Sequence, residues 1–99
     1  MGTLHYDSSH RFQFDDRTLA HLRAVIVSKL GHQESLLFTW TSKDTQRSIW
    51  LHPTIPVQFE FDEGEVPPLN RAWLEELTAT ANAPAGLRLL PEPAEPEQH

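Results

Sequence analysis

Leu19, Leu22, Ile26 and Leu30 recur at intervals of three and four residues. At ~100° per residue they fall on one stripe of a helix. Asp15 and Asp16 stand before the stripe with a capping oxygen and a favourable charge, and Lys29 lies in its last turn. Gly31 follows, where the spacing predicts the helix to stop. Arg17, His21 and Ser28 fall on the other side, and His21 and His32 are expected in water. A helix with a single apolar stripe cannot bury it alone, so the rest of the chain must supply a sheet or a second helix to cover it.

The flanking segments alternate as strands do. Thr3 to Tyr6 and Arg11 to Phe14 surround Asp7-Ser8-Ser9, the pattern of a hairpin. Leu36, Phe38 and Trp40 alternate with Leu37, Thr39 and Thr41, and Ser42 to Gln46 is polar and turn-like. Arg47 to Leu51 returns with Ile49 and Leu51 on one face and Ser48, Trp50 and His52 on the other. Pro53 and Pro56 favour an extended loop. Val57, Phe59 and Phe61 then alternate with Gln58, Glu60 and Asp62, a strand with one wet face.

Asn70 is placed to cap a second helix whose apolar side carries Trp73, Leu74, Leu77 and Ala81. Leu87 to Leu90 reads as a last short strand, with room for a parallel pairing. The order is ββαβββαβ. The expected class is α+β, a mainly antiparallel sheet of about six short strands with two helices on one face. A chain of 99 residues permits one domain, taken as residues 1–90. Residues 91–99, rich in proline and glutamate, are expected to form a tail without fixed structure.

Charge and cysteine usage narrow the function classes. No cysteine is present, so disulfides and thiolate metal sites are excluded. No apolar run approaches the ~18 residues of a membrane helix. With no basic leader ahead of an apolar stretch, a cytoplasmic protein is expected, without a membrane partner. The net charge is −6, and no basic run lines a helix, which argues against nucleic acid. Part of that acidity, Glu92, Glu95 and Glu97, lies in the expected tail, and the cluster Glu60, Asp62, Glu63 and Glu65 reads as a solvated edge.

Candidate sites are few. His52 shares a predicted face with Trp50 and precedes Pro53 at a strand end, where loops collect sites. Ser48 lies on the same face but about 13 Å away along such a strand, too far to be activated. No Gly-x-Ser-x-Gly elbow presents a serine, so no catalytic residue is assigned. Trp50, His52 and Pro53 are therefore the candidate rim of a ligand pocket. Arg23, at the edge of the helical stripe, is a further candidate contact, although packing of its stem along the core edge is favoured. Trp40, Trp50 and Trp73 are core candidates. His5 and His10 would face each other in a symmetric hairpin, a weak metal candidate whose spacing matches no ligand pattern. We expect no cofactor.

Five segments carry a resemblance: Met1 to Tyr6, Phe14 to Leu22, Ser35 to Trp40, Ile49 to Pro53 and Leu69 to Trp73. Together the chain resembles a family of small actinobacterial proteins of about this length with no established activity, some of them labelled ATP-dependent DNA ligase. The label implies a Lys-x-Asp-Gly nucleophile, but here Lys43 is followed directly by Asp44 with no glycine after it. The expectation is a non-catalytic protein-interaction domain, possible as a homodimer through the helix-free sheet face that carries Trp50 and Leu37. The alternative is a small-ligand or accessory domain using the rim at Trp50, His52 and Pro53.

Overall fold

The computed structural model describes residues 1–62, 64 and 66–94. Its elements are β1 (Gly2–Tyr6), β2 (His10–Phe14), α1 (Asp16–Gly31), β3 (Leu36–Ser42), β4 (Thr45–Leu51), β5 (Val57–Phe61), α2 (Arg71–Ala81) and β6 (Leu87–Arg88). This is the α+β order expected from the alternation. The strands divide into two sheets of three rather than one of six, ordered β2-β1-β5 and β4-β3-β6. The first is antiparallel throughout, with Leu4 opposite Phe12 on one side and Phe59 on the other. In the second, β3 pairs antiparallel with β4 and parallel with β6, where Phe38 stands opposite Leu87.

Aromatic packing explains the division. Phe12 and Phe14 share a face of β2, and Phe38 and Trp40 share a face of β3. Phe12 meets Trp40 edge-on with centroids 5.0 Å apart, and Phe14 meets it at 5.5 Å. The sheets thus pack through their apolar faces instead of joining edge to edge. Each sheet also takes its own helix, which replaces the expected pair on one face: α1 lies on β1 and β5, and α2 on β3 and β6. Leu4, Leu19, Leu22, Ile26, Phe38, Leu51, Leu77 and Leu87 are fully buried in one core that spans both sheets.

The helix ends follow from local chemistry. The Asp15 carboxylate accepts from the Thr18 N–H at 3.1 Å, and the Asn70 side chain accepts from Ala72 and Trp73. At the other end of α1 the sequence expectation moves by two positions. Gly31 is still helical, and Gln33 takes the left-handed conformation at φ 61°. The N–H of Glu34 bonds Lys29 O and that of Gln33 bonds Leu30 O, the Schellman pattern. The two helices run roughly parallel, since His21 lies beside Asn70 and Lys29 bonds the Asn82 side chain.

Two more expectations change. Trp40 and Trp73 are buried as core residues, but Trp50 is 51% exposed on the face of its sheet that points away from the core. Glu92 and Pro93, expected in an unattached tail, bond Arg17 and Asn70. The remainder of that expected tail, residues 95–99, lies outside the described residues, as do Glu63 and Glu65.

Gly86 admits no side chain. Its φ is +86°, and an added Cβ would sit 2.4 Å from the Leu37 carbonyl oxygen. This contact brings the α2–β6 connection against β3. Gly86→Ala is expected to destabilise the fold by about 2 kcal/mol or more, read from the midpoint of urea unfolding.

Candidate functional site

The residues singled out from sequence do not converge. His52 folds back on its own loop: its Nδ1 lies 2.8 Å from Thr54 Oγ1 and accepts from the Thr54 N–H at 3.1 Å. Trp50 stands half exposed nearby in sequence, and its carbonyl accepts from the Tyr6 hydroxyl at 2.6 Å. Pro53 follows His52 in the connection to β5, partly buried. Arg23 lies elsewhere, with its guanidinium 4.8 Å from the centroid of the Phe61 ring. That is a cation–π contact made by a partly buried side chain.

The hairpin register separates the two histidines of the metal candidate. His5 stands opposite Arg11 and His10 opposite Tyr6, so they point to opposite faces of the sheet. His5 Nε2 is 2.7 Å from Glu60 Oε1, while His10 bonds Ser9 and stacks on Phe12. Among the described residues no group of three or more His, Cys, Asp or Glu is arranged to hold a metal ion.

The structure instead assembles a groove of about 880 Å³ that sequence reasoning missed. One wall is β2, from which His10, Arg11, Phe12 and Gln13 all contribute. Side chains alternate across a strand, so a groove touching four in succession runs along the strand's edge as well as over a face. The facing wall is the end of the β3–β4 hairpin, with Trp40, Ser42, Lys43 and Arg47. Thr3, His5 and Glu60 extend the floor across the outer face of the first sheet.

The groove's charge is local. Arg11, Lys43 and Arg47 are exposed, and none of them forms an ion pair with a described residue. Arg11 is distant in sequence from Lys43 and Arg47, which share one hairpin, and the packing of the two hairpins places all three along one groove. Lys43 and Asp44 form a two-residue turn with φ of 50° and 65°, closed by the pair Ser42 and Thr45. Left-handed backbone costs roughly 1–2 kcal/mol at a non-glycine residue. The turn holds Lys43 at the groove's mouth and sets Arg47 directly opposite Trp40. The usable signal was a two-residue turn at Lys43-Asp44, within the longer polar stretch from Ser42 to Gln46.

A second polar centre lies between the helices. His21, expected in water, is completely buried. Its Nε2 accepts from the Asn70 N–H at 2.7 Å, so its Nδ1–H donates to Arg17 O, also at 2.7 Å. Its ring packs 4.5 Å from that of Trp73. The Asn70 amide donates to Glu92 at 2.9 Å and to Pro93 O at 3.0 Å. Arg17 donates to both Glu92 oxygens and to Pro68 O. Every group here is engaged inside the molecule, so the cluster is a latch and not a binding site.

The Arg17 hydrogen bonds, followed by that from Asn70, hold the Glu92 carboxyl down from 4.5 to about 2. A carboxyl depressed in the folded state stabilises it above its unfolded value and loses that contribution as pH falls through its folded value. The window is therefore pH 4.5 down to about 2. Glu92→Gln is expected to lower stability at neutral pH and to flatten the acid-unfolding curve across that window, followed by circular dichroism.

Fold and groove together define a small α+β domain with a groove along a sheet edge whose walls carry three cations. Residues 1–92 match the model of a domain of unknown function, DUF7882, and the chain belongs to that family. The matched span includes both the groove and the Glu92 latch. No curated protein and no solved structure matches the chain. No helix of the described residues is long and apolar enough to cross a membrane.

Proposed function

We propose that this is a non-catalytic interaction domain, acting in the cytoplasm, that docks an acidic polypeptide in the groove between β2 and the β3–β4 hairpin. One observation carries the reading: Arg11, Lys43 and Arg47 line a single groove and form no ion pair with a described residue. Cations left unpaired around a concavity focus the local field and favour an anionic partner. A short peptide fits better than nucleic acid because the whole chain carries −6, which opposes a long polyanion. Ligase chemistry is left out of the reading, since Lys43-Asp44 is spent on a hairpin turn. An actinobacterial source, expected from the resemblance, has no bearing on this docking chemistry.

The test is a titration of the full chain with an oligo-glutamate peptide and with a single-stranded oligonucleotide, at low and high ionic strength. The peptide is expected to bind at low salt and to be released at high salt. The double variant Lys43→Glu, Arg47→Glu, checked for folding by circular dichroism, should lose at least about tenfold in affinity. Binding that ignores these charges, or preference for the oligonucleotide, overturns the reading.

Self-association is the second reading. It rests on Trp50, a large aromatic 51% exposed on the outer face of its sheet beside the partly buried Leu37. The remainder of that face is polar, with Thr39 and Ser48 bonded across the strands at 2.8 Å. Light scattering at micromolar concentration is expected to give a dimer that Trp50→Ser dissociates. A monomer for the unaltered chain removes this reading.

A further inference from the structure

The groove is lined by four consecutive residues of one strand, and that strand has a neighbour on one side only. Beyond its ladder with β1, no described residue hydrogen-bonds the backbone of β2. Its outward N–H and C=O groups therefore face the groove unpaired, the template on which an extended chain can add a strand.

The molecule's other edges are protected. β5 carries Glu60, is preceded directly by Pro56, and has Asp62 just beyond its end. β6 is two residues long. The first four residues of β4, Thr45 to Ser48, are polar and exposed. β5 and β2 each hold a single formal charge and no proline within the strand, but the charge of β2, His-Arg-Phe-Gln-Phe, is a cation. That charge, Arg11, has the same sign as Lys43 and Arg47 across the groove. Such an edge repels a basic strand and another copy of itself, but it attracts an acidic one.

We propose that the occupant of the groove is an extended acidic segment of a partner protein, added antiparallel or parallel to β2 as a fourth strand of the first sheet. The inference rests on the acidic-peptide reading above and specifies its geometry. Side chains of the added strand alternate between two environments. One set lies on the face of Arg11 and His5, and takes acidic residues. The other lies on the face of Phe12, beside that ring and toward the hairpin wall with Lys43 and Arg47. It takes residues with an apolar stem and an acidic or polar tip. The matching length is about five residues, that of β2. The segment has no proline where its N–H must reach β2.

The experiment uses an end-capped peptide of alternating glutamate and valine, titrated against the full chain. Two further versions carry N-methyl groups on one or the other alternate set of amides. N-methylation removes donors and leaves the charge unchanged. In an added strand every second N–H faces the neighbour. Methylation of one set is therefore expected to weaken binding by about tenfold or more while the other is tolerated. The unmethylated peptide is also expected to slow amide hydrogen exchange within residues 10–14. Equal effects of the two methylated sets, including no effect, with unchanged exchange at β2, overturn strand addition and leave charge-driven docking standing. Absence of binding by all three peptides, or binding insensitive to the Lys43→Glu, Arg47→Glu double variant, overturns both.

Discussion

The hydrogen bond from the Asn70 backbone to His21 is the point on which the relation of the two helices depends. An N-cap residue presents its own N–H as well as a capping side chain, and a capping box satisfies that N–H with a Glu or Gln three positions on. Here the third position holds Trp73, which has no acceptor in its ring. The imidazole of α1 supplies the acceptor at 2.7 Å instead. The cap of one helix is thereby completed by a side chain of the other. Both residues are fully buried, and loss of one partner would leave a buried polar group unsatisfied at a cost of about 1–3 kcal/mol.

The same centre explains why an asparagine, and not an aspartate, suits position 70. Its oxygen caps α2, while its amide donates to Glu92 and Pro93. An aspartate would keep the cap but set a second carboxylate against Glu92. The Trp73 ring completes the arrangement by packing at a tilt against His21 and donating from Nε1 to Leu90 O at 3.0 Å. Three stretches distant in sequence, around residues 17–21, 70–73 and 90–93, are joined by groups that are polar and therefore directional.

Period and capping made much of the fold legible. The stripe of α1, the alternation in β3 and β5, and the caps Asp15 and Asn70 were all visible in residue order. Pairing between distant segments was not. Nothing in the spacing of His21 distinguishes a histidine facing water from one facing the N-terminus of a helix about fifty residues later. Phe12 and Trp40 likewise signal apolar faces without saying that the two faces meet across separate sheets. The groove was hidden for the same reason. Arg11 belongs to one hairpin, Lys43 and Arg47 to another, and their meeting depends on how those hairpins pack.

Sorting the charges by what they touch changes the meaning of an acidic chain. Arg17 is committed to Glu92, Arg23 to the face of Phe61, and Lys29 to Asn82 and Glu34. Glu60 is engaged with His5, and Glu92 with the latch. These groups contribute to the net charge of −6 but are already balanced locally. Arg11, Lys43 and Arg47 share a groove with no such commitment, so the formal charge of its side chains, three cations against Glu60, has the opposite sign to the molecule's total. Over a Debye length of about 8 Å in physiological salt, a partner entering that groove responds to its immediate walls more than to the sum over the chain. Net charge therefore bears on a long polyanion lying across the whole surface, and the groove bears on a short segment lying within it.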